Sequence, residues 1–379
     1  MCCFGTRPEA IKMAPVVHAL ERSDRFEPVV AVTAQHRSML DQVLELFGLT
    51  PKYDLGVIEP RQTLTGVTVR ALERLTPVLE AERPDVVLVQ GDTTTTFVAA
   101  LAAFYQRIPV VHLEAGLRTG DPLAPWPEEL NRRLTSQLAT LHLAPTPTSK
   151  ANLLAERVPA ERVVVTGNSV IDALVWTAAR RPAFQEPALA ALERDPRRVL
   201  LVTAHRRESW GEPMVRVGRA LAAIARAEPD LLLVVPLHRN PVVREALLPA
   251  LAGLANVLVT EPLGYGDFVR LMDRAHVILT DSGGVQEEGP SLGKPVLVLR
   301  DTTERPEAVA AGTARLVGTD RDAIVDAVGA LLHHPAAYAA MATAVNPYGD
   351  GQASRRTLAA LAHLFGEGPA PDEFAAAPR

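Results

Sequence analysis

Apolar runs of strand length recur along this 379-residue chain, each followed by a polar or glycine turn and then by a longer stretch of helical character. The runs at 86–89, 199–202, 231–235 and 277–279 carry almost no polar residue, so they are strands covered on both faces. Strands of that kind, separated by helices, pair in parallel through crossover connections. The alternation therefore predicts a doubly wound α/β architecture.

The chain is too long for one compact core and predicts two domains. In the first half strands are expected at 2–4, 28–33, 86–90, 109–113, 141–144 and 162–166, with helices from 8, at 37–47, 63–82 and 128–138, and one starting in the threonines after Asp92. The second half repeats the order with strands at 198–203, 231–235, 256–260, 277–280, 295–299 and 314–317. The fold class is thus α/β, two Rossmann-like domains whose carboxyl edges face a central cleft. The expected division is 1–168 for the first domain and 169–352 for the second, with an amphipathic helix at 353–365 packing back on the first. Residues 366–379, rich in Gly, Pro and Ala, read as a flexible tail.

A net charge of −5 offers no basic surface for nucleic acid. The apolar runs fall far short of the roughly 20 residues that cross a bilayer. Arg7, Glu9 and Lys12 interrupt any signal-peptide core, which predicts a cytoplasmic protein. The two cysteines, Cys2 and Cys3, are adjacent and read as small apolar residues of a first strand, so no cysteine metal site is expected. Asp320-Arg-Asp322 opens a late helix and reads as a cap rather than a metal pair. Gly5-Thr-Arg-Pro lacks the later glycines of a dinucleotide fingerprint and there is no P-loop, so no tightly held cofactor is expected.

Ligands of open parallel sheets bind beyond the carboxyl ends of the strands, and the unusual polar residues fall there. Asp281-Ser282-Gly283-Gly284 follows a buried strand and opens a helix whose free N–H groups can face phosphate oxygens. Glu288 lies one turn further, and Arg300 and Arg305 follow the next strand. Arg7 and Lys12 follow the first strand, Asp92 the strand at 86–90, Glu114 that at 109–113, and His205 that at 198–203. Each residue also has a structural reading. Asp92 could cap the next helix, Glu128 and Glu129 could complement a helix dipole, and His205 could be a structural histidine. Glu114 is harder to explain that way, since a carboxylate directly after an apolar run is costly to bury without partners.

Together, Gly5-Thr-Arg-Pro-Glu-Ala-Ile-Lys12, Gly91-Asp-Thr-Thr-Thr-Thr96, His112-Leu-Glu-Ala-Gly-Leu-Arg118, Pro127-Glu-Glu-Leu-Asn-Arg132, His205-Arg-Arg-Glu208 and the run from Asp281 to Glu307 resemble the non-hydrolysing UDP-N-acetylglucosamine (UDP-GlcNAc) 2-epimerases. The resemblance spans about residues 4–364. It implies a fold like that of the two-domain UDP-sugar glycosyltransferases, a homodimer, no cofactor, and UDP-GlcNAc and UDP as ligands. The implied reaction converts UDP-GlcNAc reversibly to UDP-N-acetylmannosamine by eliminating UDP to 2-acetamidoglucal and adding it back, in supply of bacterial cell-surface polysaccharide.

By the same resemblance Asp92, Glu114, Glu128 and His205 serve proton transfer and charge stabilisation, and which carboxylate takes the proton stays open. Arg7, Lys12, Ser282, Gly283, Gly284 and Arg305 match positions that hold UDP, Glu288 the ribose contact, and Phe268 a position near the uracil. Gln35, His36, Arg70, Arg207 and His238 are candidates for a second, activating substrate site. The chain departs from the family pattern in its short first strand and in Leu263, which stands where some relatives carry a polar residue near the base. The alternatives are a hydrolysing epimerase, a glycosyltransferase of the same fold, and a non-catalytic sensor of UDP-sugars.

Overall fold

A computed structural model describes residues 1–34, 37–59 and 62–376 of the chain. They divide into two compact units, Met1–Ala173 with Tyr348–Ala375, and Leu174–Pro347. Each unit is built on one wholly parallel sheet.

The first unit holds β1 (Cys2–Phe4), β2 (Val30–Val32), β3 (Tyr53–Asp54), β4 (Val87–Gln90), β5 (Val110–Leu113), β6 (Leu141–Ala144) and β7 (Val163–Val165), in the order β3-β2-β1-β4-β5-β6-β7. β1, β2 and β4 to β7 are buried along their whole length, as their apolar sequences require. Each Val or Leu side chain so covered contributes about 1.5–3 kcal/mol. β1 is short but lies between β2 and β4, so its length weakens no edge. The sequence gives no sign of β3, because two residues, Tyr53 and Asp54, make no apolar run and join the sheet through backbone pairing with Ala31 and Val32.

The order reverses between β1 and β4: the chain runs outward from β1 to β2 and β3, then returns and runs the other way from β4. A crevice forms at such a reversal, beyond the carboxyl ends of the two strands. The turns that border it are Gly5 to Arg7 after β1 and Gly91 to Thr93 after β4.

The second unit repeats the plan with β8 (Arg198–Thr203), β9 (Leu231–Pro236), β10 (Val257–Thr260), β11 (Val277–Thr280), β12 (Val296–Val298) and β13 (Ala314–Leu316), in the order β10-β9-β8-β11-β12-β13. Its reversal lies between β8 and β11. The core packs Leu200, Val202, Leu233, Val235 and Leu279 against Val217, Leu221 and Ile324 of the covering helices. No helix of the described residues is long and apolar enough to cross a membrane.

The helix Ala353–Leu364 belongs to the first unit, where its opening N–H groups, from Ala353 and Ser354, donate to the buried carboxylate of Asp172 at 3.1 and 2.8 Å. The loose tail expected after Gly366 is not what the structure has through residue 374. Phe374 is buried and its N–H donates to the Val165 carbonyl at 2.7 Å. Glu373 accepts from Lys150 Nζ at 2.6 Å. A Gly- and Pro-rich composition concealed one apolar anchor, and that anchor fixes the segment beside β7.

Candidate functional site

At the reversal of the first sheet, Gly5 lets the chain leave β1 against its neighbours: a Cβ there would lie 1.9 Å from Thr33 Oγ1 and 2.6 Å from Thr95 Oγ1. The turn is held by Glu9, whose Oε2 accepts from the N–H groups of Gly5 and Thr6 at 3.0 and 2.7 Å. Its Oε1 accepts from Thr93 Oγ1 at 2.6 Å, which ties the β1 turn to the β4 turn. Burial pushes the Glu9 carboxyl above its usual range despite these donors. Arg7, half-buried at the start of the helix Arg7–Glu21, makes no hydrogen bond among the described residues.

Lys12, one turn on, reaches Glu114 with Nζ 2.5 Å from Oε2. The same oxygen accepts from Gln90 Nε2, the last side chain of β4. Glu114 follows β5 with φ +60°, in the left-handed region that residues other than Gly, Asn and Asp seldom occupy. Two residues on, Gly116, at φ +90°, passes so close to the helix Pro147–Ala155 that a Cβ would meet the Ser149 carbonyl oxygen at 2.2 Å.

Asp92 does not cap the helix Thr94–Tyr105, since Thr93 does, accepting from the Thr96 N–H. The Asp92 carboxylate instead pairs with Arg132, and its carbonyl accepts from Asn131 Nδ2 at 3.0 Å. Both partners lie on the helix Glu128–Leu138. The two acids that open that helix have different environments. Glu129 is fully buried and takes Arg132, Arg133 at 3.0 Å and the Thr119 N–H at 3.1 Å. Glu128 is half-buried and makes no hydrogen bond among the described residues. Arg7, Lys12, Asp92, Glu114 and Glu128 all belong to the first unit, with Lys12 joined to Glu114 across the sheet.

At the reversal of the second sheet, Asp281 directly follows β11 and is 1% exposed. Its Oδ2 accepts from the N–H groups of His205 and Arg206 at 2.6 and 2.7 Å, and its Oδ1 lies 3.1 Å from His205 Nδ1. Burial opposes the Asp281 charge, but His205 and these N–H groups outweigh it and hold the carboxyl below its usual range.

Ser282 leads into the short helix Gly283–Glu288, and its hydroxyl makes no hydrogen bond among the described residues. A Cβ on Gly283 would lie 3.6 Å from the Arg206 guanidinium and 3.9 Å from that of Arg305, which places both cations beside the glycine turn. Arg305 is braced by Glu287. Arg300, which also follows β12, is buried and paired with Glu208 at 2.5 Å and Glu304 at 3.4 Å. Glu288 is buried and accepts from Tyr265 Oη at 3.1 Å. Burial first, then Glu288, raises the Tyr265 phenol well above its usual range. Phe268 is half-buried one turn after Tyr265 on the helix Tyr265–Arg274.

A family model for UDP-N-acetylglucosamine 2-epimerase matches residues 18–362. The chain belongs to that family. Among its members, the UDP-N-acetylglucosamine 2-epimerase of Salmonella typhimurium is 56% identical over 363 residues, covering 94% of this chain and 96% of its own length. The Neisseria meningitidis UDP-GlcNAc 2-epimerase, solved bound to UDP-GlcNAc, is 51% identical with a TM-score of 0.86, covering 96% of this chain and 99% of its own. That of Methanocaldococcus jannaschii, solved with UDP-GlcNAc and UDP, is 33% identical with a TM-score of 0.77, covering 96% and 99%.

Within this family frame, Gln35 and His36 lie outside the described residues. Arg70 is already engaged with the Val57 carbonyl at 2.9 Å, Gln62 at 3.2 Å and Glu59 at 3.0 Å, all in the segment before its own helix. Arg207 is exposed near the Trp210 ring, and His238 stacks on His205 with ring centres 5.6 Å apart. Sequence reasoning missed Gln90, Arg132, Glu287 and Tyr265. The visible signal for Gln90 was a polar residue closing an apolar run, and for Arg132 a cation inside a motif already singled out.

Proposed function

We propose that this enzyme interconverts UDP-GlcNAc and UDP-N-acetylmannosamine without net hydrolysis, by eliminating UDP to 2-acetamidoglucal and adding it back. The hydrogen at the inverted carbon is not beside a carbonyl, so its removal needs charge to develop at the neighbouring carbon as UDP leaves. Carboxylates and a histidine suited to proton transfer, and a cradle for the departing diphosphate, are what such chemistry requires. Asp92, Glu114, Glu128 and His205 are assigned the first task. Arg7, Lys12, Ser282, Gly283, Gly284 and Arg305 are assigned the second, with Glu288 on the ribose and Phe268 beside the uracil.

The observation that carries this reading is Glu114, set in the left-handed region with Lys12 and Gln90 converging on one of its oxygens. A carboxylate needed only for packing has no reason to sit there. Incubation with UDP-GlcNAc in heavy water tests the reading. Intact UDP-N-acetylmannosamine with deuterium at the inverted carbon supports it. Free N-acetylmannosamine would mark a hydrolysing enzyme, a product without deuterium a transferase, and unchanged UDP-GlcNAc without deuterium a sensor.

The working form is proposed to be a homodimer. The helices Leu64–Glu82, Thr94–Tyr105 and Glu128–Leu138 pack side by side and leave Val69, Phe104, Tyr105, Leu130 and Leu134 exposed. Phe104 at 55% and Tyr105 at 67% are large side chains to leave in water, and a second copy of the same face would cover them. Light scattering on the wild type and on Phe104→Glu would show a dimer and a monomer respectively. We assign the protein to the cytoplasm, where nucleotide sugars are consumed, and its product to cell-surface polysaccharide synthesis.

A further inference from the structure

We infer that Asp281 is a positioning residue for His205: it fixes the proton of the neutral ring on Nδ1 and so leaves Nε2 as the atom that works on the substrate. The inference rests on the reading that His205 takes part in the reaction. It adds a residue to which that reading gives no role.

The two residues come from β8 and β11, the strands at the reversal of the second sheet. The strand ends are locked by the Thr203–Thr280 hydroxyl pair at 2.6 Å and by the Asp281 N–H on the Thr203 carbonyl at 3.2 Å. Asp281 then divides its carboxylate between two tasks. Oδ2 alone satisfies both backbone N–H groups of the His205-Arg206 turn. Holding the loop therefore does not need Oδ1.

Oδ1 is buried and has no aligned hydrogen bond, yet it lies 3.1 Å from His205 Nδ1. A buried carboxylate oxygen without a donor is destabilising, and a small turn of the imidazole supplies one. The other charged and titratable groups around the ring do not compete for Nδ1. His238, after β9, stacks on the ring face. The Arg206 guanidinium faces Glu304 at 3.6 Å, and Arg207 leans toward Trp210. Nε2 makes no hydrogen bond among the described residues, and the side chain is 39% exposed. A neutral ring with its proton on Nδ1 presents a lone pair at Nε2, and a charged ring presents a donor there. The buried aspartate of a serine-protease triad holds its histidine in the same way.

The test labels the histidines of the full-length protein with nitrogen-15 and assigns His205 as the signal missing in His205→Gln. The neutral ring is expected to carry its proton on Nδ1 in the wild type. In Asp281→Asn the amide oxygen can still accept from the turn while its NH2 faces Nδ1, so the proton is expected to move to Nε2. Solvent-hydrogen exchange into UDP-GlcNAc should then show kcat reduced roughly 100-fold or more with KM within about threefold. In a His205→Gln background the added Asp281→Asn should cost less than about threefold, because it acts only through the histidine.

A wild-type proton on Nε2, or losses that multiply in the double variant, would overturn the inference. If Asp281→Asn does not fold, the wild-type nitrogen spectrum decides. If the wild type exchanges no hydrogen, the proposed reaction falls, and the spectrum still decides what Asp281 does to the ring.

Discussion

Lys12 Nζ and Glu114 Oε2 are 2.5 Å apart, although 102 residues separate them in the chain. The pair links the helix after β1 to the end of β5, spanning β4, whose last side chain, Gln90, meets the same oxygen. The Glu114 side chain is only 8% exposed, and both donors stabilise its charge.

Lys12→Met takes from that carboxylate the cation at 2.5 Å. Removing one partner of a buried pair costs about 3–5 kcal/mol, and the partial exposure of Lys12 places the expected loss nearer 2 kcal/mol. Urea unfolding should show this loss, and Lys12→Met combined with Glu114→Gln should recover most of it. Neither variant should exchange solvent hydrogen into UDP-GlcNAc at more than about 1% of the wild-type rate.

Asp92→Asn keeps an oxygen for Arg132 but cannot hold a transferable proton. Epimerisation should fall by at least about 1000-fold while the dissociation constant for UDP, measured by calorimetry, stays within about threefold. A variant that still epimerises would remove Asp92 from the reaction.

Glu288→Gln should weaken UDP binding by roughly tenfold or more, the value of one hydrogen bond to a charged group. Inorganic pyrophosphate has no ribose, so its affinity should not change. Equal losses for both ligands would show that Glu288 shapes the glycine turn rather than holding the sugar.

Acid should weaken the fold through His112. Burial pushes this imidazole from 6.5 down to about 4, and Nε2 lies 2.7 Å from the Gly91 carbonyl. The unfolded chain takes up the proton near 6.5 and the folded chain only near 4, so between these values the unfolded state binds more protons. The full stability is therefore present above pH 6.5 and is lost as pH falls toward 4, on the order of 3 kcal/mol from this residue. Urea midpoints at pH 7.5 and 5 should differ less in His112→Gln than in the wild type.

Most of the strands could be read directly, because a strand covered on both faces must be apolar and a helix between two of them must not be. The strand β8 and the helix Ala353–Leu364 fall where their patterns place them. Pattern was silent where backbone alone pairs, as in β3, and where one side chain anchors a polar segment, as Phe374 does. Residues after strand ends were legible as candidates, since the carboxyl edge concentrates them. Their partners were not. That Asp92 answers to Arg132, or Asp281 to His205, depends on strand order, which no local window contains.

Glu114 pays for its place with an unfavourable backbone angle, and glycine would remove that cost. Glu114→Gly removes that strain together with the carboxylate that Lys12 and Gln90 share, so its two effects on stability oppose each other. Selection for survival at high temperature sees only that balance, whereas selection for turnover holds the carboxylate through its proposed role.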